Sequence, residues 1–357
     1  MKFNNLIHIL PLILLLTLGC SGKRSERESL GNVRQLVDTI GFAQYSWQMD
    51  SIMTRLDRKG WTRTEGESWK LAICPHDDYT YAGKLYPIVL SNIRAPLLIL
   101  LGVAHKAARM GIEDSLVFDT YDYWKGPWKN VRISPFRDEI YSRLSAKFAI
   151  ISDTLHSAEH SLESMIPFLQ YFNRDVSIIP VLVPAMKPER MKECGFAMAN
   201  AIREVAKEHN LQWGKDFSII VTTDAVHYGN EDWGGSDMAP FGCDILGNRM
   251  ALAIEKEIMQ NCLTGSTTPE KISLFNAYTL KPDNYKEYKW TWCGRYCVPV
   301  ALYTAYYLNN ENPLSAGLTD YSTSIMSEHI KVDDIGMGST AIATPCHWVG
   351  YAAIAYK

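Results

Sequence analysis

Leu71-Ala72-Ile73-Cys74-Pro75-His76-Asp77-Asp78 is an apolar run that stops at a proline and turns abruptly polar. The same pattern returns twice. Leu98-Ile99-Leu100-Leu101-Gly102 leads into Val103-Ala104-His105, and Ile219-Ile220-Val221-Thr222-Thr223 leads into Asp224-Ala225-Val226-His227. Near-continuous Ile, Leu and Val runs suit strands covered on both faces. Strands are therefore expected over 71–74, 96–101, 177–183 and 217–222. Amphipathic stretches at 84–93, 136–146, 161–172, 190–208, 247–259, 269–277 and 293–308 read as helices between or after them. Residues 319–327 and 349–356 alternate like late strands that complete the sheet. The expected fold class is α/β, with a central, mostly parallel β-sheet flanked by helices.

In such sheets ligands bind beyond the carboxyl ends of the strands. If the strands are parallel, His76, His105, Asp224 and His227 meet in one crevice. Imidazole is the commonest transition-metal ligand, and two or three with an anionic group suffice to hold an ion. One histidine after a strand is more often structural; three carry weight together. Glu159-His160-Ser161-Leu162-Glu163 lies at an expected helix start, where acids and serine are favoured for structural reasons alone. A histidine gains nothing from that position unless it stays neutral, so His160 is a candidate for ligation or proton transfer. Trp292-Cys293-Gly294-Arg295 places a thiol beside an arginine at another expected helix start, where thiolates are stabilised; a buried inert cysteine is the alternative.

The chain has 357 residues, enough for one large domain or two smaller ones. Apolar residues at 47% and charged residues at 21% exclude a disordered chain and a multi-spanning membrane protein. A net charge of −3 provides no basic field for nucleic acid, which is not an expected partner. No internal repeat or linker interrupts residues 46–357, which are expected to form a single α/β domain.

The amino-terminal segment opens with Lys2, runs apolar from Leu6 to Leu16 through Pro11, and ends Thr17-Leu18-Gly19-Cys20. It is too short to span a bilayer and reads as a cleaved leader over residues 1–19. Gly19-Cys20 resembles a lipoprotein box, so Cys20 is the expected site of acylation, with residues 20–45 as a polar tether. This predicts an exported, membrane-anchored lipoprotein on the periplasmic or cell-surface side. Eight scattered cysteines do not make a disulfide scaffold or a paired zinc knuckle. Cys293 and Cys297, four apart, are a conceivable disulfide pair.

Taken in order, Pro75-His76-Asp77-Asp78-Tyr79-Thr80-Tyr81-Ala82-Gly83, Leu101-Gly102-Val103-Ala104-His105, Glu159 to Glu163, Ile178-Ile179-Pro180-Val181-Leu182-Val183, Thr223 to Gly229 and Cys293-Gly294-Arg295 resemble the Memo family. This is protein B of the AmmeMemoRadiSam system, related in fold to class III extradiol ring-cleaving dioxygenases. The resemblance runs from about Leu71 to the carboxyl terminus. Six ordered blocks are specific where each alone is weak. It implies a mononuclear transition metal, Fe or Cu, held by His76, His105 and Cys293; a thiolate favours copper without excluding iron. It also places His227 as the acid/base histidine, with Asp224 and His160 as further pocket residues, and it implies functional links to a radical SAM protein and an AMMECR-type protein; in an oxidoreductase Asp224 is expected to orient His227.

Three features depart from the family pattern. Asp77 and Asp78 stand where small residues are common, Lys106 replaces a usual second histidine, and the chain begins with an export signal. The acids and Lys106 suggest either an altered preference for substrate charge or a solvated surface pair. Three functions compete: a metal-dependent oxidoreductase acting on a small aromatic or enolic molecule, a non-catalytic module binding a phosphorylated or anionic peptide or small ligand through Arg295, His76 and His105, and a metal-assisted hydrolase. Against the last, neither a Gly-x-Ser-x-Gly elbow nor a His-Glu-x-x-His helix occurs.

Overall fold

Four apolar runs become the parallel centre of a sheet in the computed structural model, which describes residues 31–357 apart from 63–65, 67, 231–236 and 327. Across the sheet they lie in the order Ser177–Val183, Leu97–Val103, Phe217–Thr222 and Leu71–Cys74, each parallel to the next. Their side chains alternate between two buried layers. Leu71, Ile73, Ile99, Leu101, Val181, Ile219 and Val221 pack on the helices Pro188–Glu208 and Cys297–Leu308. Ala72, Cys74, Leu98, Leu100, Ile178 and Ile220 pack on Ser46–Arg58, Leu85–Leu90 and Ile166–Phe172. With both faces covered, polar positions have nowhere to go, which is why these strands read as unbroken apolar runs.

The two late strands are Ser315–Thr323 and His347–Tyr356. The second pairs antiparallel with Leu71–Cys74 and the first antiparallel with the second. At the opposite edge Val131–Ile133, Tyr123–Trp124 and Val33–Arg34 extend the sheet. Strands this short carry no readable periodicity. Two expected helices start later than read. The 161–172 stretch resolves into a 3-10 turn, Glu163–Met165, and the helix Ile166–Phe172 with Pro167 in its first turn. The 293–308 stretch becomes helical only at Cys297.

The expected leader, Cys20 and the tether up to residue 30 lie outside the described residues. The packed unit begins at Asn32, earlier than residue 46, where the sequence places its start. Arg34 explains the difference. Its guanidinium is buried, 2.5 Å from Glu163, and donates to the carbonyls of His156 (2.8 Å) and Glu159. A guanidinium satisfied on three sides sits inside the fold, although in sequence it looks like part of a solvated stretch. Phe42 and Ala43 are buried as well. Among the described residues no helix is long and apolar enough to cross a membrane.

Candidate metal centre

Because the central strands are parallel, their carboxyl ends share one edge. His76 follows Leu71–Cys74 by two residues, His105 follows Leu97–Val103 by two, and Asp224 follows Phe217–Thr222 by two. Cys293 arrives from the other side of the chain. A bridge between Val226 and Trp292 lays its segment along the Asp224 loop, and Gly294 N–H donates to Thr223 Oγ1 at 2.9 Å. A Cβ at Gly294 would lie 2.3 Å from that oxygen, so the close approach needs glycine.

The sulfur of Cys293 lies 3.5 Å from His76 Nε2, and the donor atoms of His76, His105 and Cys293 all fall within 4.8 Å of one another. Two ligands at about 2.1 and 2.3 Å from one ion, at a near-tetrahedral angle, are separated by about 3.5 Å. The trio therefore fits a single ion. Each imidazole is oriented from behind. Nδ1 of His76 is 2.7 Å from Thr222 Oγ1, and Nδ1 of His105 is 2.8 Å from Glu159 Oε1, with His105 N–H donating to the other carboxylate oxygen at 2.6 Å. With the proton on Nδ1 in both rings, Nε2 offers its lone pair to the ion, the usual support for metal-binding histidine. The sulfur accepts the Asp224 backbone N–H at 3.1 Å.

His160 stacks face to face on His105, with ring centroids 5.0 Å apart. It sits in a loop before the Glu163–Met165 turn, so no helix dipole acts on it as expected from sequence. His227 lies on the short strand His227–Gly229, where its Nδ1 is 3.3 Å from the Thr291 carbonyl. Asp224 is turned towards His76 rather than serving as the expected orienting group of His227. It accepts the His76 N–H at 2.9 Å and lies 3.4 Å from Nε2. Arg295 does not reach the thiol as a stabilising cation; its guanidinium lies over Tyr288, 3.3 Å from the ring centroid. Cys297 does not pair with Cys293. Both are free thiols, and the Cys297 S–H donates to the Thr222 carbonyl.

Asp77 and Asp78 are not a solvated surface pair. Asp77 accepts the Tyr351 hydroxyl at 2.5 Å, and Asp78 accepts the Thr340 N–H at 2.5 Å. With His76, His105, His160, Asp224 and His227 they line a cavity of about 230 Å³. Lys106 is half-buried and does not line it. Burial, reinforced by Asp77, pushes Asp78 up to about 7 and Asp224 well above the usual carboxylate range. Burial also raises the Cys293 thiol, with Asp224 adding to the shift. His76 is held well below its ordinary value by burial and then by the other three pocket histidines, while burial followed by His105 takes both His160 and His227 to about 4. For Glu159, burial acts upward but is outweighed by His105 and His160, leaving it at about 2. His76, His160 and His227 are thus held towards their neutral forms, beside an ionised Glu159.

Glu255 supports the centre from below. It is fully buried and accepts the indole N–H groups of Trp290 (2.6 Å) and Trp292 (2.7 Å), the Val226 N–H (3.2 Å) and the Tyr321 hydroxyl (3.2 Å). Neither Glu255 nor Thr222 is singled out by sequence. Glu159 is visible beside His160, but its true partner, His105, is 54 residues away.

The profile of the family described as Memo-like protein matches residues 43–341. The chain belongs to the Memo family. MEMO1 family proteins from three archaea are similar to it. That of Methanothermobacter thermautotrophicus is 31% identical over 167 residues, covering 46% of this chain and 56% of its own. That of Methanosarcina barkeri is 29% identical over 159 residues, covering 44% and 54%. That of Pyrococcus furiosus is 26% identical over 175 residues, covering 46% and 56%. The chain thus spans about half the length of the relatives it matches. Membership in the Memo family agrees with the large, mostly parallel sheet and with the possible His/His/Cys metal site.

One pH dependence follows from a histidine of this Memo domain outside the donor trio. His156 is fully buried, its Nε2–H donating to the Val117 carbonyl at 3.0 Å, and burial takes it to about 4. In the unfolded chain histidine titrates near about 6.5. Above that pH both states are neutral and the difference contributes nothing. As the pH falls, the unfolded chain binds a proton that the folded chain refuses, and stability drops by roughly 3 kcal/mol on reaching pH ~4. Urea unfolding of chelated protein should show this loss on top of that from His76, His160 and His227, and His156→Gln should remove the His156 share of the slope. An unchanged pH slope in the variant would refute the assignment.

Proposed function

We propose that this chain is a metal-dependent oxidoreductase that holds one iron or copper ion at His76, His105 and Cys293 and acts on a small aromatic or enolic molecule. The observation that carries this reading is the oriented donor trio, each imidazole backed by its own acceptor and the sulfur by a backbone N–H. When bound, the ion supplies Lewis acidity and electron transfer. The chain's own groups do the rest. His227 and His160, neutral at physiological pH, accept protons from a substrate in the cavity, while Asp224 fixes the His76 backbone. No lysine or arginine is among the described residues lining that cavity, so it offers a phosphorylated ligand no fixed cation. The proposal extends to export, with an acylated Cys20 holding the domain at a membrane, and to cooperation with a radical SAM protein.

Elemental analysis of full-length protein purified anaerobically tests this, together with oxygen uptake in the presence of catechols and enols. Near one ion of iron or copper per chain and substrate-dependent uptake are expected. Failure to take up either metal, with phosphopeptide binding that survives a chelator, would overturn it in favour of a binding module.

A further inference from the structure

A second cavity, of about 400 Å³, lies on the Cys293 side of the metal centre. His105 and Cys293 form part of its wall, and the rest includes Lys286, Tyr288, Arg295 and Tyr296. Its wall also holds Glu113, but that carboxylate is already paired with Lys286.

Arg295 is the unusual member. It is only 7% exposed, and its guanidinium packs over Tyr288 and, at 4.8 Å, over Tyr296. Nη2 donates to the Lys286 carbonyl at 2.8 Å, whereas Nε and Nη1 find no hydrogen-bond partner among the described residues. Among the described residues no carboxylate is paired with it. Arginine is almost never this deeply buried unless paired, because leaving its donors unmet forfeits their hydration without return. Contact with aromatic faces offsets part of that cost but satisfies no N–H.

We infer that the second cavity is an oxyanion site in which Arg295 binds a carboxylate or phosphate group next to the metal ligand Cys293. A guanidinium pre-placed between two tyrosine rings supplies charge-assisted hydrogen bonds of the strong kind. The first cavity has no lysine or arginine among its described lining residues and the second has Arg295, so the centre has two chemically distinct approaches, and His105 belongs to the wall of both. The site stands on Arg295 and not on the proposed redox chemistry.

The test uses full-length, chelator-treated protein, titrated calorimetrically with inorganic phosphate and separately with acetate, alongside thermal unfolding with each. Wild type should bind at least one of them saturably and unfold at higher temperature in its presence. Arg295→Gln should weaken that binding by at least about tenfold. Its unfolding temperature without anion should not fall, since the change removes an uncompensated buried cation. Arg295→Lys, which keeps the charge and loses the planar donors, should bind between the two. Phosphate preference would identify a phosphorylated ligand, and acetate preference a carboxylic acid. Absence of binding by wild type, equal binding by Arg295→Gln, or a markedly less stable anion-free Arg295→Gln would each overturn the site. Metal content measured on untreated protein reads the redox proposal independently.

Discussion

Cys293→Ala is expected to lower metal affinity by more than about 100-fold, because loss of mere supporting partners behind a ligand already costs about 10- to 100-fold. Elemental analysis after anaerobic purification should fall from near one ion per chain to near none. The sulfur is the soft anionic donor of the trio, and two neutral imidazoles alone hold an ion poorly. Its surroundings suit the anion: the Asp224 N–H donates to the sulfur at 3.1 Å. In the metal-free protein the thiol keeps its proton, since burial and then Asp224 raise it. Metal binding must therefore expel a proton, and proton release on titration with metal should disappear in the variant. Cys293→Ser keeps the shape while removing the soft donor, and should lose copper as completely. If the alanine variant retained stoichiometric metal, the trio would not be the holder of the ion.

Arg34→Ala is expected to destabilise the fold by about 3–5 kcal/mol, the range for stranding one partner of a buried ion pair. Glu163 would keep the N–H groups of Val37 (3.1 Å) and Asp38 (2.6 Å) but lose the Arg34 guanidinium. Burial already raises Glu163 despite Arg34, so without the cation this carboxyl would favour its protonated form. The loss should also reach the metal centre. Arg34 braces the Glu159 carbonyl, and the Glu159 side chain orients His105. Urea unfolding measures the first effect and metal content the second. A change under about 1 kcal/mol would show that residues around Arg34 lie outside the cooperative unit. Arg34→Met with Glu163→Leu should recover much of the loss, because a well-packed apolar pair often replaces a buried ionic one without cost.

The central strands and the polar residues beyond them are legible in sequence because double-sided burial leaves unbroken apolar runs and a parallel sheet gathers their ends. The short edge strands are not, since two or three residues show no period. His76, His105 and Cys293 are each visible as residue types in telling places. Their supports are less so: Thr222 meets His76 across 146 residues and Glu159 meets His105 across 54. Sequence spacing carries no information about such pairs. Sequence proximity pairs Asp224 with His227, whereas its hydrogen bond goes to His76, 148 residues away. Arg34 misleads for the same reason, since its partner Glu163 lies on a different part of the chain.

Glu255 bears on how the centre tolerates change. By gripping Trp292, next to Cys293, and Val226, next to His227, a single carboxylate gears the two segments together. A push delivered to either loop is felt by the other, so the spacing of thiol and imidazole is inherited as one mechanical unit rather than adjusted residue by residue.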